Sequence, residues 1–185
     1  MLNTPDKQMA LLALGTNLPL QDTAEDYPAM RMGAYVLGES MKSRLWHRLR
    51  EHEGLSYGAG SWMEASKHEA NTTLGLYAMA ATGNAQKALS ALQEEYKKWS
   101  KDGITEEELK DSKQSLRSTM ENMWANDAYV VSSLCSNLEL DRDFDFQAKL
   151  LKKIESLSVA QVKTALDKYV APVGLAEVKA GDFKQ

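Results

Sequence analysis

The sequence is poor in the residues that build disulfides and metal sites. Its 185 residues include one cysteine, Cys135, and three histidines. A single cysteine excludes an internal disulfide framework and a cysteine-rich metal site. Apolar runs such as Met9–Leu14 are far shorter than the roughly 20 residues that a transmembrane helix needs, and the first residues lack the pattern of a secretion signal. We therefore expect no membrane insertion.

Charge of either sign shows no strong excess. Lysine and arginine total 22 against 26 acidic residues, which gives a formal net charge of −4 and a pI of about 5.5. An acidic chain without a basic cluster is a poor candidate for binding nucleic acid. Charged residues make up 26% and hydrophobic residues 43%, as in ordinary soluble domains. We interpret residues 1–185 as a single domain.

Along the chain, the spacing of hydrophobic residues alternates between the period typical of strands and the period typical of helices. A short apolar run at 8–14 predicts a strand that ends at the Gly15–Pro19 break. Period-two segments at Tyr57–Met63 and Asn71–Tyr77 predict an antiparallel pair joined by a polar stretch, and Gly174–Val178 predicts a last strand. Strands at both ends and in the middle, with helices grouped between them, indicate an α+β sandwich.

The remaining segments carry helical periodicity and capping signals. Two early helices are predicted, one from Asp26 to Gly38 and one from about Glu39 to Gly54 with Met41, Leu45 and Leu49 inward. Thr105-Glu-Glu-Glu108 reads as a capping box. The later helices are predicted at 84–103, at 105–124 with Leu109, Leu116, Met120 and Met123 inward, at 127–138, at 143–155 and at 158–169.

The histidines and the cysteine do not assemble a catalytic centre in the sequence. His47 and His52 are five apart, which places them roughly 140° apart around a regular helix, so one ion cannot bind both. His68 lies in a predicted loop without a third ligand nearby. Cys135 follows the apolar stretch Val130–Leu134 on a predicted helix, where a thiol is expected to be buried. We expect no metal bound by this chain and no catalytic residue in this chain alone.

Arg50 and Tyr57 are the candidate binding residues. Arg50 lies near the end of the second helix, and Trp46, four residues earlier, can stack on its guanidinium group. Tyr57 opens the next strand after the turn at Gly54, so both side chains could donate hydrogen bonds to a peptide carbonyl group at one edge. The alternative is that Arg50 pairs with a carboxylate such as Glu53 and that Tyr57 only packs.

The segment around these residues resembles the pitrilysin/insulinase family of zinc peptidases, specifically the metal-free second domain of a family half. The family pattern S-R-L-x-x-x-L-R-E-x-x-G-L-x-Y corresponds to Ser43–Tyr57 here. Further matches are the helix start Asp26–Ala29, the segment Gly103–Leu109 followed by Lys113, and the helix start Leu157–Val162. The resemblance covers about residues 7–180.

The resemblance implies a fold and a division of labour. The fold is an antiparallel sheet with helices packed on one face. A homologous partner domain, in the same full-length chain or a second subunit, would bind zinc through H-x-x-E-H. Arg50 and Tyr57 of this domain would contact the backbone of a peptide substrate that is cleaved in a closed chamber. Since this chain lacks that motif, it resembles a piece of a longer peptidase that is inactive alone.

Two other functions stay open at this point. One is a non-catalytic structural member, similar to the family relatives that serve as core subunits of respiratory complexes. The other is a stand-alone module that captures extended peptides at an exposed strand edge. The sequence does not fix the compartment, and export to the periplasm would follow only from the resemblance.

Overall fold

A five-stranded sheet forms the centre of the molecule. The computed structural model describes residues 1–183, and its strands are β1 (Leu2–Asn3), β2 (Met9–Leu18), β3 (Gly58–Ala65), β4 (Thr72–Ala81) and β5 (Ala176–Gly181). Their order is β1-β5-β2-β4-β3. β1 runs parallel to β5, and all the other neighbours are antiparallel. The antiparallel pair predicted from the period-two segments is thus confirmed as β3 and β4.

The helices pack against one face of this sheet. Leu12, Leu14, Leu74 and Leu76 on that face are buried, and Trp99 donates its indole N–H to the carbonyl group of Gly33 at 3.0 Å beneath them. The α+β architecture with helices on one face is therefore confirmed. The helices are α1 (Tyr27–Gly38), α2 (Arg44–Trp46, continued by a π-helix at His47–His52), α3 (Ala85–Asp102), α4 (Glu106–Trp124), α5 (Asp127–Glu139), α6 (Phe146–Ser156) and α7 (Val159–Tyr169).

The first long strand continues past its predicted break. β2 extends through Gly15 to Leu18, whereas the sequence predicts an end at Gly15. Gly15 lies opposite Gly75 of β4 and Ala176 of β5, so two neighbouring strands hold its backbone in the ladder. The prediction of an end at Gly15 was wrong because sequence neighbours do not reveal this pairing.

The second helix differs in start and in type. It begins at Arg44, not near Glu39, and Met41 is 74% exposed instead of inward. Leu45 and Leu49 are fully buried, as predicted. From His47 the hydrogen bonds shift to the wider π-helical pattern, which places residues five apart in register with each other.

Helix α5 buries a different face from the one that the sequence predicts. Cys135 is exposed, so the prediction of a buried thiol was wrong. The helix buries Ser133 and Asn137 instead, and the Asn137 side chain donates to the Gln147 side chain at 3.0 Å. Met123, near the end of α4, is also 39% exposed and not inward. Polar pairing, not apolar periodicity, decides which face of this segment is buried.

The end of α1 abuts the outer strand of the sheet. Gly38 lies so close to β3 that a β-carbon there would overlap the backbone of Gly60 and Ser61. Ser61 donates its hydroxyl to the carbonyl group of Ala34 at 3.0 Å. The end of α1 thus lies directly against the backbone of β3. Within residues 1–183, no helix is long and apolar enough to cross a bilayer.

Candidate functional site

The turn from the π-helix into β3 builds the candidate site. The Glu53 N–H donates to the Arg48 carbonyl group at 2.9 Å, and the Leu55 and Ser56 N–H groups both donate to Leu49, at 2.8 and 3.1 Å. Gly54 adopts a φ of 61°, a conformation that favours glycine. Because the Leu49 side chain is buried, these bonds fix the turn to the core.

Tyr57 leaves this turn with its side chain in solvent. Its N–H donates to the Met79 carbonyl group at 2.8 Å, and the Ser56 hydroxyl lies 2.6 Å from the carbonyl oxygen of Gly58. The backbone is therefore anchored, while the side chain is 67% exposed. Within residues 1–183 no hydrogen bond uses the Tyr57 hydroxyl group, which leaves it free to donate outward.

Arg50 is held by an aromatic ring and not by a carboxylate. Its guanidinium carbon lies 4.3 Å from the centre of the Trp46 ring, so the predicted stacking is confirmed. The alternative pair with Glu53 does not form, because Glu53 accepts a hydrogen bond from Arg48 at 2.8 Å. Stacking restricts the side chain while leaving the donors of its fork available.

The neighbouring arginines are neutralised. Arg44 donates twice to Glu108, at 2.5 and 2.7 Å. Arg48 is bound by Glu53 at 2.8 Å and by Glu94 at 2.5 Å. Partial burial works to lower the pKa of Arg48, but the two carboxylates outweigh it and raise that pKa. Of the six arginines in the sequence, Arg50 is the one that makes no ion pair with residues 1–183.

All three histidines are exposed at the surface. His47 lies 2.7 Å from Glu51, and this contact lowers the pKa of Glu51. His47 and His52 share a π-helix, so the angle inferred for a regular helix does not apply to them. Among residues 1–183, no three histidine, cysteine, aspartate or glutamate side chains are grouped closely enough to hold a metal ion.

The sequence reading missed the open face of the sheet. Leu11, Trp62, Met79 and Val178 project from that face and are 39–47% exposed. Leu11 pairs with Met79, and Gly75 pairs with Trp62, so cross-strand register brings these side chains together. In the sequence, both the odd and the even positions of the strand segments carry apolar residues. This pattern indicates apolar groups on both faces of a sheet.

Comparison with known proteins identifies similar chains. A family model described as the peptidase M16 inactive domain matches residues 2–116. An uncharacterized zinc protease, YmxG of Bacillus subtilis (strain 168), is 34% identical over 85 residues, which cover 46% of this chain and 20% of the relative. The non-peptidase homolog YmxG of Helicobacter pylori is 23% identical over 157 residues, or 85% of this chain and 36% of the relative.

The fold also matches a solved structure. The peptidase M16 inactive domain from Pseudomonas fluorescens superposes with a TM-score of 0.87 at 24% identity, over 99% of this chain and 42% of that one. This chain therefore spans well under half the length of these three proteins. The comparison of structures establishes a shared architecture for nearly all of the chain.

Proposed function

We propose that this chain, because it belongs to the peptidase M16 (pitrilysin) family as an inactive domain, supplies the substrate-binding side of a zinc metalloendopeptidase. Zinc would be held by a homologous partner domain carrying H-x-x-E-H, in the same full-length chain or a second subunit. Peptides or small proteins would be cleaved in a closed chamber between the two domains. The chain alone would be inactive.

One observation carries this proposal: two unpaired hydrogen-bond donors flank the same tight turn. Arg50 is stacked on Trp46 without a carboxylate partner, and Tyr57 is exposed on an anchored backbone. A guanidinium group and a phenol can each donate to a peptide carbonyl oxygen. Leaving a cation unpaired beside well-paired Arg44 and Arg48 is what a site for an external acceptor requires.

The roles of the two residues follow from this chemistry. Zinc, when bound by the partner domain, would polarise the scissile carbonyl group and activate water. Arg50 would orient the peptide backbone through its fork of donors, held flat by Trp46. Tyr57 would donate its hydroxyl proton in a hydrogen bond to the oxygen that gains negative charge. Both groups are preorganised, so they contribute to rate by positioning and electrostatic stabilisation.

Substitution in the assembled enzyme tests the proposal. Removing a hydrogen bond from a charged group costs about 1.5–3 kcal/mol, so we expect Arg50→Ala to lower kcat/KM for peptide hydrolysis by about 10- to 100-fold. Tyr57→Phe should lower kcat/KM with a smaller effect on KM. Zinc content measured by atomic absorption should stay unchanged in both variants.

A matched control separates this role from loss of charge in general. Arg117 is 57% exposed and pairs with Glu121 on the surface of α4, so Arg117→Ala should leave kcat/KM unchanged. Arg50→Lys retains the charge without the fork and should recover only part of the activity. Wild-type turnover in both Arg50→Ala and Tyr57→Phe would contradict the proposal.

A second candidate is a non-catalytic member of the family. The name of the Helicobacter pylori relative describes it as a non-peptidase homolog, and it covers more of this chain than the Bacillus subtilis relative does. In that case the partner half would lack H-x-x-E-H, and the assembled protein would bind no stoichiometric zinc. Reading the partner half for this motif and measuring its zinc content distinguishes the two functions.

A further inference from the structure

Glu53 pairs with the more distant of two arginines in the helix that precedes it. Its carboxylate accepts a hydrogen bond at 2.8 Å from Nε of Arg48, five residues earlier, although Arg50 is only three residues away. The backbone follows the same spacing, since the Glu53 N–H donates to the Arg48 carbonyl group at 2.9 Å. Both bonds join residues five apart, which is the hydrogen-bond repeat of the π-helix at His47–His52.

The type of helix decides which arginine lies near Glu53. In a regular α-helix, each residue turns the chain by about 100°, so Glu53 would lie roughly 60° from Arg50 and roughly 140° from Arg48 around the axis. A π-helix has about 4.4 residues per turn, or about 82° per residue. With that spacing, Glu53 lies about 50° from Arg48 and about 115° from Arg50. The wider turn therefore exchanges the two candidate partners.

Helix α3 holds Arg48 in the position where it meets Glu53. The Arg48 Nη2 donates to the Glu94 carboxylate at 2.5 Å. Its Nη1 lies 3.4 Å from the carbonyl oxygen of Ala91 and 3.4 Å from the carboxylate of the buried Glu95. The remaining nitrogen, Nε, binds Glu53, so one guanidinium group bridges α3 and the end of the π-helix.

The free state of Arg50 follows from this bridge. Its guanidinium carbon lies 4.3 Å from the centre of the Trp46 ring, and it makes no ion pair within residues 1–183. Residues three apart are neighbours on an α-helix, where an arginine and a glutamate at that spacing attract each other. The donors of Arg50 are therefore free for an external acceptor only while Glu53 is bound elsewhere.

We propose that Arg48 is a positioning residue for Arg50: it binds Glu53 in the five-residue spacing of the π-helix and so keeps that carboxylate from occupying the donors of Arg50. That the external acceptor of Arg50 is a peptide backbone rests on the proposed function. Without Arg48, the Glu53 carboxylate would lose its partner, turn towards Arg50 and compete with the peptide for the same guanidinium group.

Chemical modification of the 185-residue chain by phenylglyoxal tests this role. The reagent attacks the unprotonated guanidine group, and a carboxylate partner favours the protonated form. We expect Arg50 to react faster than Arg117, which is also exposed but pairs with Glu121 and Glu155. Arg48→Ala should slow the modification of Arg50 about threefold, the effect of a surface ion pair. Peptide mass spectrometry measures the rate at each arginine.

A second substitution separates this role from a loss of stability. Glu53→Gln in the Arg48→Ala background removes the competing carboxylate and should return the modification rate of Arg50 to the wild-type value. It restores no contact with α3, so a merely structural role of Arg48 would not be rescued. Glu94→Gln removes another partner of Arg48 and leaves Glu53 bound, so it should not change the rate.

Arg48→Lys provides a variant that keeps a cation beside the buried Glu95. A single ammonium group is a point charge without the guanidinium fork, so it cannot bind Glu53 and Glu94 through separate nitrogens. The modification rate of Arg50 should therefore fall part of the way towards that of Arg48→Ala. Circular dichroism shows that each variant is folded under the conditions of the modification.

The same variants have an expected effect in the assembled enzyme. Arg48→Ala should raise the KM for a peptide substrate, because Glu53 then competes for Arg50, and Glu53→Gln in that background should lower KM again. Zinc content should stay unchanged in both.

The outcomes separate this inference from the proposed function. Equal reactivity of Arg50 and Arg117, an unchanged rate in Arg48→Ala and Arg48→Lys, or no recovery in the double variant would overturn the positioning role. Because modification requires neither zinc nor turnover, those results leave the proposed function unaffected. Wild-type turnover in both Arg50→Ala and Tyr57→Phe would instead contradict the proposed function, while the modification rates would still measure the effect of Arg48.

Discussion

Three arginines lie within seven residues, and their surroundings give them different tasks. Arg44 joins the start of α2 to Glu108 of α4. Arg48 joins the π-helix to α3, because it contacts Glu94 at 2.5 Å and the buried Glu95 at 3.4 Å. The Arg50 guanidinium group stacks on the Trp46 ring and makes no ion pair within residues 1–183. The first two therefore stabilise the fold, and the third is available for an external partner.

This difference predicts opposite effects on stability. Arg48→Ala would remove the ion-pair partner of Glu95, which is 6% exposed, and should lower the free energy of unfolding by about 2–3 kcal/mol. Arg50→Ala removes an exposed group and should change it by less than about 0.5 kcal/mol. Urea unfolding followed by circular dichroism at pH 7 measures both. Equal effects of the two substitutions would show that the pairing described here does not support the turn.

At the start of α4, one residue takes part both in the cap of its own helix and in a contact with another helix. Thr105 accepts a hydrogen bond from the Glu108 N–H at 3.1 Å, and the Glu108 carboxylate accepts one from the Thr105 N–H at 2.7 Å. The same carboxylate binds Arg44. Burial works to raise the pKa of Glu108, but the hydrogen bonds from Arg44 and Thr105 outweigh it, so the pKa lies below its ordinary value.

The lowered pKa predicts how stability depends on pH. A carboxylate with a depressed pKa stabilises the folded state above its unfolded value, here about 4.5, and loses that contribution as pH falls through the folded value. We expect Glu108→Gln to lower the free energy of unfolding by about 1–2 kcal/mol at pH 7. The deficit should shrink as pH is lowered below 4.5. Urea titrations at pH 7, 4.5 and 3 measure it, and a deficit independent of pH would contradict the ionic role of Glu108.

Elements set by local chemistry could be predicted from sequence, and elements set by tertiary contacts could not. The capping box at Thr105 and the i, i+4 stack of Trp46 on Arg50 depend on residues within one turn. The continuation of β2 from Gly15 to Leu18 depends on pairing with β4, whose partner residues lie more than 50 positions away in the sequence.

The same distinction applies to the candidate site. Arg50 and Tyr57 could be located because the turn at Gly54 is short and its residues follow one another in sequence. Whether Arg50 stacks on Trp46 or pairs with Glu53 could not be decided from the sequence. The answer depends on Arg48, which lies against α3 and binds Glu53. The recess on the open face of the sheet, between Trp62 and Val178, could not be predicted from the sequence. These two residues come from strands that are separated by β4 and β2.

At the scale of the whole molecule, burial differs between the central helices and α5. Gly33 of α1 lies against Trp99 of α3 and against Val162 and Leu166 of α7, all of them buried. Helix α5 lies at the other extreme, because it buries only Ser133 and Asn137 and leaves apolar side chains in solvent. The helix that carries Arg50 is attached to the core by the fully buried Leu45 and Leu49, as preorganisation of a binding site requires.

This difference in burial predicts the order in which backbone amides exchange with solvent. Little apolar burial means that α5 can open without global unfolding, since local opening free energies follow buried contacts. Native-state hydrogen exchange should show the α5 amides opening at a free energy at least about 2 kcal/mol below those of α1 and β4. Low concentrations of urea should leave the α5 opening nearly unchanged, because it exposes little surface. Exchange of α5 only through the global transition, with the same urea dependence as α1, would show that the molecule is a single cooperative unit and that the contrast in burial has no energetic consequence.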